Sequence, residues 1–175
     1  ITDGLHFAAG DVITLDATGG THLQSSLKDL QKLGVDTVLV GAGGVTVDLG
    51  AGADLSQGLP VFSDGGSATL SLSDAGQLDL AAQNVDSLTA AGIDAVQINL
   101  ADQGVTGYTD DVAALLGDSQ LQSDLTALGN LTDGTIDLGG ALVAGSATIT
   151  DSQAQSLITD GLHFAAGDVI TLDAT

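Results

Sequence analysis

The chain has 175 residues, 43% of them hydrophobic, and a formal charge of −21. That length can bury a core of its own, but three Phe, one Tyr and no Trp leave Leu, Val, Ile and Ala to build it. All 23 acidic residues are Asp, opposed only by Lys28 and Lys32, so the field of the chain repels phosphate and argues against nucleic acid and anionic membrane surfaces as partners.

Cys and Met are both absent, so disulfide and thiol chemistry are excluded. The lack of oxidisable sulfur suits life outside a cell. No run approaches the ~20 apolar residues of a membrane span, so no membrane insertion is expected. No signal peptide is visible, as expected of a piece from inside a longer chain. Asp in place of Glu points to short helices, many turns and oxygen-ligand metal sites.

In chain order, residues 5–9 and 12–16 read as short extended segments around the turn dipeptide Gly10-Asp11. A helix is predicted next, with Thr21 as N-cap, His22 at its head, Leu23, Leu27, Leu30 and Leu33 at helical spacing, and Gly34 as a left-handed C-terminal cap. Residues 35–40 and 45–49 read as strands around the Gly-rich turn 41–44. Residues 50–66 hold five Gly and the only Pro, Pro60, and read as a surface loop. Strands are predicted at 68–73, 77–80 and 93–100, with a short helix at 85–91 closed by Gly92. A helical hairpin or broken helix is predicted at 109–117 and 120–128, then strands at 135–138 and 147–150. Asp151 is predicted to cap a helix through Thr159 that ends at Gly161.

Residues 158–175 then repeat residues 1–18 without a change. Residues 1–157 are therefore one complete tandem repeat and 158–175 the start of the next. A unit copied head to tail serves length, stacking or multivalent display.

Two smaller patterns recur. One is a helix end, Gly, then an apolar residue opening a strand: Leu33-Gly34-Val35-Asp36, Ala91-Gly92-Ile93-Asp94, Asp160-Gly161-Leu162-His163 and, more weakly, Leu128-Gly129-Asn130-Leu131. The other is Thr or Gln, apolar, Asp or Asn, apolar, at 14–17, 46–49, 77–80, 97–100 and 135–138. Five matches in one repeat set a coil of about 31 residues and predict an α/β fold, an irregular repeat solenoid of short helices packed on stacked short strands. The alternative is a string of separate α+β bead domains joined by the 50–66 linker. With a strand period of two, Leu15, Val47, Leu78, Ile98 and Ile136 would face the core and the Thr, Gln, Asp and Asn positions would face outward.

Stacked in register, such strands would set carboxylates about 4.8 Å apart, a repulsion that divalent cations relieve. Calcium is the expected ion, with Asp16, Asp48, Asp54, Asp79 and Asp137 as candidate ligands. Asp64, Asp110, Asp111 and Asp133 are further oxygen sources, and none has EF-hand spacing. Asp also caps helices and closes Asx turns, the plainer reading of any single one. His6, His22 and His163 form no zinc spacing, no Gly-x-Ser-x-Gly elbow is present, and the turn 41–44 has no Lys to hold phosphate. The sequence therefore reads as a protein without enzymatic activity. The outward Thr face suits glycan, ice or mineral, but Thr is also a common solvent-facing strand residue.

The stretch 50–55, Gly-Ala-Gly-Ala-Asp-Leu, resembles half of the Gly- and Asp-rich nonapeptide of RTX proteins. With residues 7–19 and 26–36, it makes the chain similar to the acidic, Cys-free tandem repeats of giant secreted bacterial surface proteins and adhesins. That resemblance implies an extracellular, cell-surface structural or adhesive role, with calcium stiffening the array and neighbouring repeats of the same chain as partners, up to self-assembly. A multivalent ligand-binding module is the alternative.

Overall fold

The computed structural model describes residues 10–63, 65–99, 119–129, 131, 133–137, 146–159, 161–164 and 169–173. It is a mixed α/β protein with small parallel sheets, and among the described residues no sheet closes into a barrel. Two compact units form, residues 1–71 with 86–95, and residues 72–85 with 96–175. The second unit contains the copied stretch 158–175, so the copy is held by the residues before it rather than standing as a separate piece.

The first unit holds β1 (Thr14–Ala17), α1 (Leu27–Leu33), β2 (Thr37–Val40), β3 (Val45–Asp48), β4 (Val61–Ser63), β5 (Ala68–Leu72) as far as Ser71, and α3 (Val85–Ala90) from Asp86. β2 lies between β1 and β4, all parallel, pairing Thr14 with Thr37 and Thr37 with Val61. β3 pairs parallel with β5, Val45 with Ala68. On the other side of β3, His22 bridges to Thr46, and Thr21 and Leu23 share backbone hydrogen bonds with Thr46 at 2.8 Å. The chain thus visits one sheet, then the other, then crosses back.

The steps between paired strands, Thr14 to Thr37, Thr37 to Val61, Val45 to Ala68 and His22 to Thr46, are all shorter than the ~31 residues expected of a coil. Each lies within one residue of the 23 that separate Ile13 from Asp36, which meet where β1 and β2 begin. The four-residue pattern does not set that step because its first two instances, β1 and β3, lie in different sheets, and its third, 77–80, is not a strand. It lies inside α2 (Ala75–Ala82), capped by Asp74, whose Oδ1 accepts the Gln77 N–H at 2.8 Å. So short a stretch gives a two-residue period little weight against a cap followed by an Ala-rich turn.

Alternation along β2 and β3 buries Val38, Val40, Val45 and Val47, and α1 adds Leu27 and Leu30. Leu49, Leu55, Phe62, Ala68, Leu70, Leu88 and Ile93 complete an aliphatic core. α1 starts later than expected. Ser26, not Thr21, is the N-cap, in a capping box with Asp29, and Gly34 at φ 74° ends the helix as expected. Thr21, His22 and Leu23 are extended instead, because their backbone groups pair with β3. The 50–66 stretch is not a linker: Val61–Ser63 within it is a strand on β2, and Phe62 is buried.

The second unit holds α2, β6 (Ala95–Asn99) from Val96, α4 (Ser119–Leu128), β7 (Asp133–Asp137), β8 (Ser146–Thr150), α5 (Asp151–Thr159), β9 (Leu162–Phe164) and β10 (Val169–Asp173). α2 packs on α4, and α5 packs against β8, β9 and β10. β6, β7 and β9 lie side by side, and β8 pairs parallel with β10. Leu78, Val96, Ile98, Leu125, Leu128, Ile149 and Leu157 are buried. Thr150, not Asp151, caps α5: its hydroxyl accepts the Gln153 N–H, and Gln153 Oε1 accepts the Thr150 N–H at 2.8 Å. The extended segment predicted at 5–9 and the helix predicted at 109–117 lie outside the described residues.

The turns at Thr18, Gly41 and Gly66 nearly touch. A Cβ on Gly66 would lie 1.9 Å from the Gly41 carbonyl oxygen, and one on Gly41 would lie 2.5 Å from that of Thr18, whereas Gly43 has nothing within 4 Å. Gly66→Ala is therefore expected to destabilise by about 1–3 kcal/mol, and Gly43→Ala to stay within about 0.5 kcal/mol. Urea midpoints of the two variants check this, and equal midpoints would mean that the turns do not stack.

Candidate functional site: the aspartates and the repeated strand

Of the expected calcium ligands, Asp16, Asp48 and Asp54 belong to the first unit and Asp79 and Asp137 to the second. Asp16 closes β1, its Oδ1 accepting the Thr18 hydroxyl at 2.6 Å and the Thr18 N–H at 3.0 Å. Asp54 does the same with Ser56, at 2.6 and 3.0 Å. Asp48 ends β3, exposed, with Oδ2 3.4 Å from His22 Nε2. Asp79 lies in a helix and accepts Gln83 Nε2 at 2.6 Å. Asp137 ends β7, and its side chain lies outside what is described.

The expected ladder of carboxylates is corrected by the register. Asp16 faces Leu39 across the strands, Asp48 faces Ser71, and Asp173 faces Thr150. The step between strands is not the spacing of the four-residue pattern, so in these pairs carboxylate does not face carboxylate. Among the described residues no three His or Asp side chains group closely enough to hold a metal.

The stretch that resembles an RTX turn, residues 50–55, has its carbonyls engaged by α1. Lys28 Nζ donates to the Ala51 oxygen, and Gln31 Nε2 donates to that of Asp54 at 2.8 Å. An ammonium and an amide already lie on two of the oxygens that such a turn would offer to a cation.

Two aspartates that the sequence reading did not single out as site residues have clear positions. After α1, Gly34 and Val35 return N–H groups to Gln31 and Leu30, and after α3, Gly92 and Ile93 return theirs to Thr89 and Leu88, both in the same glycine-capped turn. The next residue in each case is Asp. Asp36 N–H donates to the Ile13 oxygen at 2.9 Å while its Oδ2 accepts the Ile13 N–H at 2.8 Å. Asp94 clasps Ala68 in the same way, at 2.9 and 3.2 Å. The signal lay in the Gly-apolar-Asp order, whose third instance carries His163. Asp124, 4% exposed in α4, accepts Gln120 Nε2 at 2.9 Å.

β1 and β10 are the same strand of the repeat, since Thr14 and Thr171 hold the same place in two identical stretches. They pair differently. β1 pairs with a strand that follows it in the chain, Thr14 with Thr37, and β10 with a strand that precedes it by an equal step, Thr171 with Thr148. Leu15 is half-buried in the first copy, whereas Leu172 is 51% exposed in the second, with Val169 and Ile158 exposed nearby in sequence.

No protein-family model, curated protein or solved structure matches this chain. Among the described residues no helix is long and apolar enough to cross a membrane.

The Ser26 hydroxyl, and then the Ser26 N–H, hold the Asp29 carboxyl below the ordinary Asp value. Thr18 does so for Asp16 and Ser56 for Asp54, again mainly through the hydroxyl. A carboxyl lowered in the folded state contributes stability that is present above its unfolded value, about 3.9, and is lost as pH falls through the folded value. Ser26→Ala is expected to cost about 1 kcal/mol at neutral pH. That gap should narrow below about pH 4 as Asp29 takes up its proton, and carboxyl NMR should show the Asp29 midpoint rising toward the ordinary value in the variant. An unmoved midpoint would remove the capping box as the cause.

Proposed function

We propose that this chain is a structural repeat of a long extracellular fibre or adhesin stalk on a bacterial surface, in which copies stack on one another as an irregular α/β solenoid. The observation that carries the reading is the repeated strand. Its two copies make parallel pairs at the same step, one forward and one backward, within one residue of the step from β2 to β4. A strand with a partner available on either side is what a stack of copies needs. The exposed Leu172 of the second copy supports it too, since a following copy would bring the layer that half-buries Leu15 in the first.

The role is mechanical rather than catalytic, and the absence of Cys, the charge of −21 and the tandem copying are in keeping with an extracellular surface protein. A glycan-, ice- or mineral-binding array would need a regular outward row. The row across β1, β2 and β4 reads Thr14, Thr37, Val61 and the next on that face reads Asp16, Leu39, Ser63, neither of which is regular. Calcium belongs to the proposal as an ion that stiffens the array, drawn by the excess of Asp.

Chains of one and three copies test the stacking. The three-copy chain should melt several degrees higher and unfold more cooperatively, because each added interface adds a nearest-neighbour term. Equal melting temperatures would sink the proposal. For calcium, melts in excess calcium should exceed those in sodium of matched ionic strength, since an ion bound only by the folded state stabilises it. No excess over sodium removes calcium and leaves the stacking untouched.

A further inference from the structure

We infer that the strand Val169–Asp173 is the seam between copies, held on one edge by β8 and on the other by the following copy's β2, so that one parallel sheet runs through the junction. The inference rests on the stacking proposal and names the surface by which it happens. Its partner is a second copy of the same repeat.

Residue-level register carries the argument. Thr171 is the Thr14 of the following copy, so the pairs Thr148 with Thr171 and Thr14 with Thr37 meet at one residue of the repeat. Both pairs are parallel, and both put Thr beside Thr at the same level. A slip of one residue on either side would turn the apolar face outward, and in both pairings the next residue meets a buried one, Leu15 beside Val38 and Leu172 beside Ile149.

The backbone can serve both edges at once. At the start of β1 the Ile13 carbonyl accepts from the Asp36 and Thr37 N–H groups, so residues of its parity face β2. In an extended strand the alternate residues, Thr14 and Asp16, turn their backbone groups to the opposite edge. These are the counterparts of Thr171 and Asp173, level with Thr148 and Thr150 of β8. A neighbour on that opposite edge would draw on a different set of backbone groups from β2 and would not compete with it. Nor do the clasp and the turn, since Asp36 holds the backbone N–H of Ile13 and Asp16 holds Thr18.

The side chains point the same way. Thr14, Thr148 and Thr171 are all exposed, which places them on the outer face with Thr37 half-buried beside them. Leu172, exposed here, is the position that Leu15 holds half-buried where β2 is present. Addition of the next β2 and its helix would cover it.

The chain has no Cys, so paired cysteines report on the seam without interference. Neighbouring parallel strands lie about 4.8 Å apart, within the Cα separation of about 4.4–6.8 Å that a disulfide spans. In a chain of two copies, Thr171→Cys is combined with Thr148→Cys, or instead with Thr37→Cys in the second copy, and exposed to mild oxidant. Both pairs should crosslink to a similar extent. Thr171→Cys combined with Val38→Cys in the second copy, one residue out of register and on the opposite face, should crosslink at least about tenfold less, because its Cβ vectors point apart.

Crosslinking to Thr148→Cys alone would overturn the seam, as would equal crosslinking at the Thr37 and Val38 positions. If one- and three-copy chains still differ in stability in that case, stacking stands and uses another surface. A crosslinked seam in chains whose stability does not grow with copy number would instead uphold the seam and overturn the mechanical role.

Discussion

Each pair of strands whose register is described is parallel, and the strands are short, from the three residues of β4 and β9 to the five of β10. A parallel partner cannot be reached by a tight hairpin; it requires a crossover of a dozen or more residues. Backbone hydrogen bonds of each strand are therefore satisfied only by the strand one circuit away. From this constraint follow the helix or loop in each circuit, the glycine caps that turn α1 and α3 into the next extended segment, and the turns at Gly41 and Gly66 that leave no room for a Cβ. The largely aliphatic core is the consequence: alternation aims Val38, Val40, Val45 and Val47 inward, where Leu, Val and Ile fill the space beside Phe62.

The aspartates take their meaning from the same geometry. Short elements have a high proportion of ends, and each end leaves N–H groups without partners. Asp is the acid whose short side chain reaches them: Asp74 at a helix start, Asp16 and Asp54 over the residue two positions on, Asp36 and Asp94 across to the neighbouring segment. Glu, with one more methylene, suits helix interiors, of which the described helices offer little. Among the described residues most of the resulting charge is carried on the outside, with Asp124 the buried exception, while the pairing of strands uses neutral backbone. In the proposed fibre, copies would repel sideways and adhere end to end, which favours a single extended thread over bundles.

Elements closed by a strong local signal were legible in the sequence. Gly34, Gly92 and Gly129 each end a helix as read, and β1, β3, β5, β6, β7 and β8 lie within or across their expected segments. What failed depended on partners distant in sequence. Nothing local marks Thr21, His22 and Leu23 as extended, because the reason is Thr46; nothing marks Val61–Ser63 as a strand, because the reason is β2. The expected facing of carboxylates across strands depended on the same thing. The four-residue pattern gave the right alternation for Thr46 to Leu49, but a face is not a register, and the step actually taken set Asp48 beside Ser71.

A strand that recurs in every copy imposes a closure condition on the proposed stack: the steps from Thr14 to its counterpart Thr171 must together equal the repeat. Those flanking the repeated strand are even, since Thr14 to Thr37 and Thr148 to Thr171 are equal and Thr37 to Val61 differs by one residue. The step from Gly134 to Leu162, which joins β7 and β9, is longer. Any insertion or deletion within a circuit can be absorbed by its loop or helix, provided that the strand at the end of the circuit still reaches its partner in register. The repeated strand has less latitude, because in the stack it must satisfy a partner on each edge with one sequence. The boundary between copies would then be the most regular part of the sheet, and drift in circuit length would collect in the middle of the repeat, where no strand has to match two copies at once.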